Sequence, residues 1–283
     1  MDYLLLPLLL FFALSSHSEA LSLTDDLGRL IDVDEPPKTI VSLSPHLTEL
    51  LFDLGVGHKV VGTVSFSDYP NSAKSITRIG DASALNLERI IKLEPDLVIA
   101  WFSGGSFQSV ERLIGLGFKV YVNEISTPRD IASSVKKLGV LVGQQERGLK
   151  LAHKFSEKII GIQESRTEIS AVSVFFQVGE EDLFTFSRQH FLGNAIEICG
   201  AKNVFSDAPM RVPQVSFESV LRKNPDLIIF SGKSSDTLTS SRKRWQDIGW
   251  SRKLRFVDTS ELFLPSLRFV TGLEKLCSAI HEP

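Results

Sequence analysis

The sequence predicts an α/β protein of two lobes with mostly parallel sheets, joined by a single long α-helix. Three observations carry this. The chain has 283 residues, above the size at which a single hydrophobic core keeps growing, so two lobes are expected. From Thr39 onward short β-branched runs alternate with longer stretches of helical period, the rhythm of parallel strands connected by helices. That rhythm pauses once, in the middle of the chain, where a long helical pattern runs with few breakers.

The elements follow in order. Thr39 to Leu43 reads as a strand, and Ser44-Pro45 opens a helix that runs through Leu54 and stops at Gly55. Lys59 to Val64 is a second strand. Leu87 to Leu93 is a helix, Glu94-Pro95-Asp96 breaks it, and Leu97 to Trp101 is a buried strand. Ser109 to Leu116 is helical, Gly117 caps it, and Lys119 to Asn123 is again a strand. Pro128 to Val142 is helical up to Gly143. Gln144 to Arg166 then continues as a helix of about 35 Å at 1.5 Å per residue. It is too polar for a core helix and lacks the Gly/Ser/Pro character of a flexible linker, so a rigid strut between lobes is expected. Ala171 to Val178 resumes the strands. The expected divisions are 1–20, 21–143, 144–166 and 167–283.

Composition excludes several classes. With 43% hydrophobic and 23% charged residues the chain is neither disordered nor a polytopic membrane protein. Lys plus Arg total 31 and Asp plus Glu 34, a formal charge of −3 with no basic surplus for a nucleic acid. Tyr3 to Leu14 is an apolar run too short for the roughly 20 residues of a membrane span. Ser18 and Ala20 follow with the small side chains of a signal-peptidase site, so cleavage is expected after Ala20 and the product is expected to be soluble and exported. The alternative for this segment is a buried N-terminal helix. Cleavage removes Asp2 and Glu19 and no base, taking the charge from −3 to −1.

Export bears on the two cysteines. An oxidising compartment favours a disulfide between Cys199 and Cys277, which would contribute at most about 4.5 kcal/mol by chain entropy. Two buried thiols are the alternative. Enzyme signatures fail. Ser231-Gly232-Lys233-Ser234 looks like the end of a phosphate-binding loop, but its first glycine position is Leu227. The six histidines are scattered without a partner at helical or hairpin spacing, so no metal site is expected.

One internal similarity stands out. Leu87 to Trp101 and Phe217 to Ser231 share a glutamate, Pro-Asp-Leu and a strand isoleucine at a constant offset of 130. Pro-Asp-Leu is ordinary helix-stop-strand grammar. Glu88 and Glu218 start a helix in each half, where an acid complements the helix dipole or offers matched points to a two-fold symmetric partner. Aromatic and small polar residues also gather where strands end: Phe66-Ser67-Asp68-Tyr69-Pro70, Trp101-Phe102-Ser103-Gly104-Gly105, Phe176-Gln177 and Phe184-Thr185-Phe186. Ligands of α/β sheets bind beyond the carboxyl ends of strands. Two such ends facing each other form a ligand cleft between the lobes, with Phe66, Trp101 and Phe176 as apolar walls and Ser67, Tyr69 and Arg211 as polar contacts. For any single one of the nineteen phenylalanines core packing is the favoured role, whereas Trp101 ends a buried strand at a Gly-Gly turn and is expected to face the cleft.

Ile40-Val-Ser-Leu-Ser-Pro-His-Leu-Thr-Glu-Leu-Leu51, Ser67-Asp-Tyr-Pro70, Leu87-Glu-Arg-Ile90, Pro95-Asp-Leu-Val-Ile-Ala-Trp101, Val212-Pro-Gln-Val-Ser216 and the Cys199/Cys277 pair resemble the periplasmic cobalamin (vitamin B12)-binding proteins of ABC importers, members of the helical-backbone (class III) group. The resemblance implies a corrinoid held between two lobes with little hinge motion. It implies a non-enzymatic receptor, monomeric when free, needing no cofactor beyond the cobalt its ligand carries. It also implies that Glu88 and Glu218 dock on arginines of a dimeric permease, and that Trp101 and Phe66 stand at ligand-contacting aromatic positions. The chain departs from the family at Ala82 and Val212, which replace aromatics, and at Leu262 to Leu264, which replace polar positions. A haem or ferric siderophore is therefore the alternative ligand, and a secreted α/β enzyme the remote alternative.

Overall fold

The computed structural model describes residues 21–33, 35–81, 83–105, 107–166, 172–232, 239–258 and 260–281. The expected leader, Ala82 and Lys233-Ser234 lie outside them. A hairpin that the sequence pattern did not signal opens the described chain, with β1 (Leu21–Thr24) antiparallel to β2 (Leu30–Val33). The first lobe follows as β3 (Ile40–Ser42), α1 (Pro45–Asp53), β4 (Val60–Thr63), β5 (Thr77–Arg78), α2 (Leu87–Lys92), β6 (Leu97–Trp101), α3 (Phe107–Gly115) and β7 (Val120–Asn123). Its strands form one five-stranded, all-parallel sheet in the order β5-β4-β3-β6-β7.

Two helices, α4 (Pro128–Leu141) and α5 (Gln145–Glu164), lead to the second lobe: β8 (Ser173–Gln177), β9 (Leu183–Phe184), α6 (Phe191–Ile198), β10 (Lys202–Asn203), β11 (Gln214–Val215), α7 (Phe217–Lys223), β12 (Leu227–Gly232), α8 (Thr239–Asp247), β13 (Leu254–Asp258) and α9 (Phe269–His281). Its parallel sheet runs β10-β8-β12-β13, and β9 pairs separately with β11.

Both sheets bury both faces, which is why their strands read as continuous apolar runs. Successive side chains part to opposite faces: Val98 and Val122 pack outward under α2 and α3, while Ile99 and Tyr121 join the inner core. In the second lobe Phe175 and Ile228 pack against Trp245, whereas Phe176 and Ile229 face inward. The inner core is continuous. It runs from Leu47 and Leu50 of α1 through Leu138 of α4 and Phe155 of α5 to Ile196 of α6 and Leu273 of α9.

The expected strut is therefore corrected in one respect. α5 is not a free-standing rod but one wall of the core, burying Ala152, Phe155 and Ile159 on a single stripe while its other faces stay polar. It lies close on α4 because Gly148 meets Gly139. A Cβ on Gly148 would fall 2.9 Å from the Val135 carbonyl oxygen and 3.1 Å from Gly139 Cα. Cys199, at the end of α6, is joined to Cys277 of α9 by a disulfide with Cα atoms 4.9 Å apart.

The repeated Pro-Asp-Leu has an architectural role in each lobe. Asp96 accepts from the backbone N–H groups of Lys38 and Thr39 at 2.7 and 2.9 Å, bracing the entry to β3. Asp226 accepts from the N–H and hydroxyl of Ser173 at 2.8 and 2.6 Å, bracing the entry to β8. These hydrogen bonds hold both carboxyls below their ordinary pKa.

Candidate ligand-binding cleft

The carboxyl ends of the two sheets meet across a cleft, and the first lobe presents its aromatics there on a braced turn. After β4 the chain turns through Phe66, whose φ of 66° is the left-handed region a bulky side chain rarely adopts. The strain is held by a buried hydroxyl chain. Thr48 Oγ1 donates to Ser42 Oγ at 2.9 Å and shares a 2.7 Å hydrogen bond with Thr63 Oγ1, which donates to Ser67 Oγ at 2.9 Å. Arg78 adds a second brace, donating to the Ser67 carbonyl and to Asp68, each at 3.0 Å. The result is a phenyl ring 81% exposed on an immobilised backbone, with Tyr69 half-exposed beside it. Strain of this kind persists where the surroundings over-determine it.

Trp101 ends β6 half-buried. His46 packs on it at right angles with centroids 4.8 Å apart, and the indole also lies on Gly104, where any Cβ would collide with it. His46 is enclosed. Its Nδ1 shares a 2.6 Å hydrogen bond with Ser44 Oγ, and burial pushes its pKa down to about 3, with the neighbouring Asn123 a smaller opposing influence. His46 Nε2, Trp101 Nε1, Tyr121 Oη and Asn123 Oδ1 are all buried without a protein partner. Ile99, Trp101, Tyr121 and Asn123 share one face of the sheet by register.

Several side chains join the lobes. Glu49 on α1 is buried and accepts from Ser266 Oγ at 2.7 Å and from Arg268 at 3.2 Å. The Arg268 guanidinium also lies 3.9 Å from the Tyr69 ring centroid, a cation–π contact across the cleft. Burial raises the Glu49 pKa against the lowering by Ser266 and Arg268. Asp53, one turn further along α1, is pushed up to about 6 by burial and by Glu49. Arg211 pairs with Glu124 at 2.6 Å and donates to Ser103 Oγ at 2.7 Å.

Phe66 and Tyr69 are thus exposed after β4 and Trp101 is half-buried at the end of β6, all beyond carboxyl ends of the same sheet, whereas three expected contacts do not stand free. Phe176 is fully buried, packed on Phe186 and Phe263 with centroids 5.6 and 6.2 Å away. Its place in the strand register points it into the shared core, and the half-buried Phe263 is the member of that cluster nearer solvent. Ser67 is buried because its hydroxyl ends the hydroxyl chain, so it positions Phe66 and Tyr69. Arg211 spends its guanidinium on the opposite lobe. The sequence reading missed Glu49, Glu124 and Arg268 as residues that join the lobes. Glu49 falls inside a motif quoted above, but nothing local marks it and Arg268 as partners 219 residues apart.

Glu88 and Glu218 are exposed in the first turns of α2 and α7. The capping work there falls to Asn86, which accepts from the Arg89 N–H at 2.9 Å, and to Ser216, which accepts from the Ser219 N–H at 3.1 Å. Glu88 is therefore not needed to end its helix. Glu218 is held below its ordinary pKa by its own backbone N–H and by Ser216.

The profile of the periplasmic binding protein family matches residues 40–251. A vitamin B12-binding protein of Pectobacterium carotovorum is 34% identical over 212 residues, 74% of this chain and 76% of that protein. The crystal structure of the periplasmic vitamin B12-binding protein of Vibrio cholerae superposes with a TM-score of 0.79 at 29% identity, over 87% of this chain and 97% of that one. A periplasmic haem-binding protein from Roseiflexus, at 23% identity and TM-score 0.74 over 87% of this chain and 98% of that one, shares the fold. With two parallel-sheet lobes, a helical backbone and a cleft between strand ends, the chain belongs to the periplasmic binding protein family.

Proposed function

We propose that the chain is a non-enzymatic receptor that captures a corrinoid in its interlobe cleft and delivers it to an ABC permease. On this reading residues 1–20 are an export leader cleaved after Ala20, and the receptor works in the periplasm. The observation that carries it is the exposed Phe66 and Tyr69 on a strained, braced turn, with Trp101 ending a strand of the same parallel sheet, in a chain whose relatives are vitamin B12-binding proteins. Among the described residues no helix is long and apolar enough to cross a membrane.

A broad, partly apolar macrocycle suits aromatic rings set on a braced frame, since little side-chain order is lost on binding. Glu88 and Glu218, one per lobe and left exposed by other caps, would meet a pair of basic sites on a two-fold permease. A haem or ferric-chelate receptor is the second reading, favoured by the half-exposed Tyr69, a phenol that can ligate iron.

Titration calorimetry of the mature protein against cyanocobalamin, haem and ferric siderophores decides between them. Micromolar or tighter binding of cyanocobalamin, weakened at least tenfold in Trp101→Ala, is the expected result. Unchanged affinity in that variant refutes the site. Glu88→Arg with Glu218→Arg is expected to abolish uptake while leaving affinity intact.

A further inference from the structure

The chain as a whole is slightly acidic, at −3, yet residues 217–232 and 239–255 carry eight bases against three acids. The fold brings most of these bases to one face. α7 and α8 pack on the same outer side of the second sheet, since Val220 and Trp245 share one cluster with Phe175 and Ile228. Phe217 of α7 lies directly on Trp245 of α8, with centroids 4.6 Å apart. Arg222 and Lys223 end α7, Arg242, Lys243 and Arg244 stand on α8, and Arg252 follows it, all of them exposed. Lys253 completes the set over the Trp250 ring at 4.2 Å, and Trp250 in turn stacks on Trp245.

Little neutralises this charge. Among the described residues none of the seven bases forms an ion pair. Arg222 and Lys253 act on Glu218 and Asp226 only at longer range. Asp226 is committed to Ser173, and Glu218 stands at the opposite end of α7, so Asp247 is the acid left beside the bases. Apolar side chains are exposed on the same face. Ile248, just past α8, is 40% exposed and Phe256 is 36% exposed. Phe256 is paired with Phe230 and lies two residues from Leu254, both members of the outer cluster, so it faces outward. Trp250 is half-buried between bases and core. Uncompensated bases around exposed aliphatic and aromatic side chains suit a surface that is anionic above and apolar beneath, which describes a layer of lipid headgroups. A face that met only water would need no such apolar centre.

We propose that the outer face of the second lobe is a peripheral membrane-binding surface, which rests on anionic phospholipid headgroups with Ile248, Trp250 and Phe256 at its centre and the bases around them. Attachment is reversible, because each base near an anionic leaflet raises partitioning only about fivefold. α7 has seven residues, a length of about 10 Å, with Glu218 at one end and Arg222 and Lys223 at the other. A receptor held by this face keeps its proposed permease contact within one short helix of the bilayer. Its search for the permease then runs over a surface instead of through a volume. Nothing in this proposal depends on which ligand fills the cleft.

Co-sedimentation of the mature protein with lipid vesicles tests this. Binding is expected to vesicles of mixed phosphatidylglycerol and phosphatidylcholine, not to pure phosphatidylcholine, and is expected to be lost in high salt, which screens exposed charge. Arg242→Gln with Lys243→Gln should weaken partitioning about 25-fold, at about fivefold per base. Lys154→Gln with Lys158→Gln, exposed bases on α5, should change nothing. Ile248→Ser should weaken binding severalfold while keeping the same dependence on salt. Variants are compared at an unchanged thermal midpoint, so that lost binding reports the face and not unfolding. No preference for anionic vesicles overturns the proposal. Equal losses in the α5 and α8 pairs also overturn it, because they would mark an effect of total charge. Full binding by Ile248→Ser overturns it too, since the face would then be a general polyanion site. Failure to bind cyanocobalamin would remove the corrinoid reading and leave the vesicle result standing.

Discussion

Acid should weaken this fold through one buried imidazole. His46 has an ordinary pKa of 6.5 when unfolded and one of about 3 when folded. Between those values the unfolded chain binds a proton that the folded chain excludes, so stability falls as pH falls through that window. At pH 5 the unfolded imidazole is 1.5 units below its pKa, and at about 1.4 kcal/mol per unit the loss is about 2 kcal/mol relative to neutral pH. His190, lowered to about 4 by burial and by Arg211, adds a loss of the same sign. Asp53 opposes both: its folded pKa of about 6 lies above its ordinary value, so it contributes stability below that ordinary value and loses it as pH rises through 6. A single pH curve therefore mixes signs, and the difference from His46→Asn isolates one group. Asparagine keeps a polar atom near the Nδ1 position for Ser44 and does not titrate. Urea unfolding followed by tryptophan fluorescence at pH 7.5, 6.5, 5.5 and 4.5 should show the variant gaining on the parent below pH 6.5. The gain should approach about 1.4 kcal/mol per unit. Parallel curves would refute the reasoning, because they would mean that His46 reaches water in the folded protein.

Two further perturbations probe the scaffold. Gly148→Ala forces a Cβ against the Val135 carbonyl and should separate α4 from α5, costing about 1–3 kcal/mol in denaturant unfolding. Gly161→Ala, on the same helix but with open space around its Cβ, should instead stabilise by about 0.5–1 kcal/mol. Equal effects at the two positions would show that helix propensity, not close packing, governs α5. Reducing the disulfide, or replacing Cys199 and Cys277 by serine, should remove about 2–4.5 kcal/mol, since the crosslink spans 78 residues. A midpoint in urea that ignores reductant would contradict this.

Much of the architecture was legible because it rests on local signals. Pro95-Asp96 and Pro225-Asp226 end a helix and start a strand in each lobe, and their carboxylates find the neighbouring strand as that grammar requires. That Trp101 ends a buried strand partly exposed was readable because Gly104 follows it, and only a glycine there leaves room for the ring. Phe176 misled for the complementary reason. Position along a strand is visible in sequence, but the face is fixed by register, and one residue decides between core and cleft. Polarity misled in the same way for α5, whose narrow apolar stripe is enough to wall a core.

The sequence by itself determined the alternation of strands and helices, the division into two βα halves, the aromatic turn at Phe66 and the exposed acids Glu88 and Glu218. Each of these is specified by residues within a few positions of one another. Only the tertiary structure decided that Glu49 meets Arg268, that Arg211 is taken by Glu124, and that Ser67 braces the turn from beneath. Such pairings depend on how two lobes are set against each other. That setting comes from the continuous core through α4, α5, α6 and α9, where burial of apolar surface is cooperative and leaves no local mark on the chain.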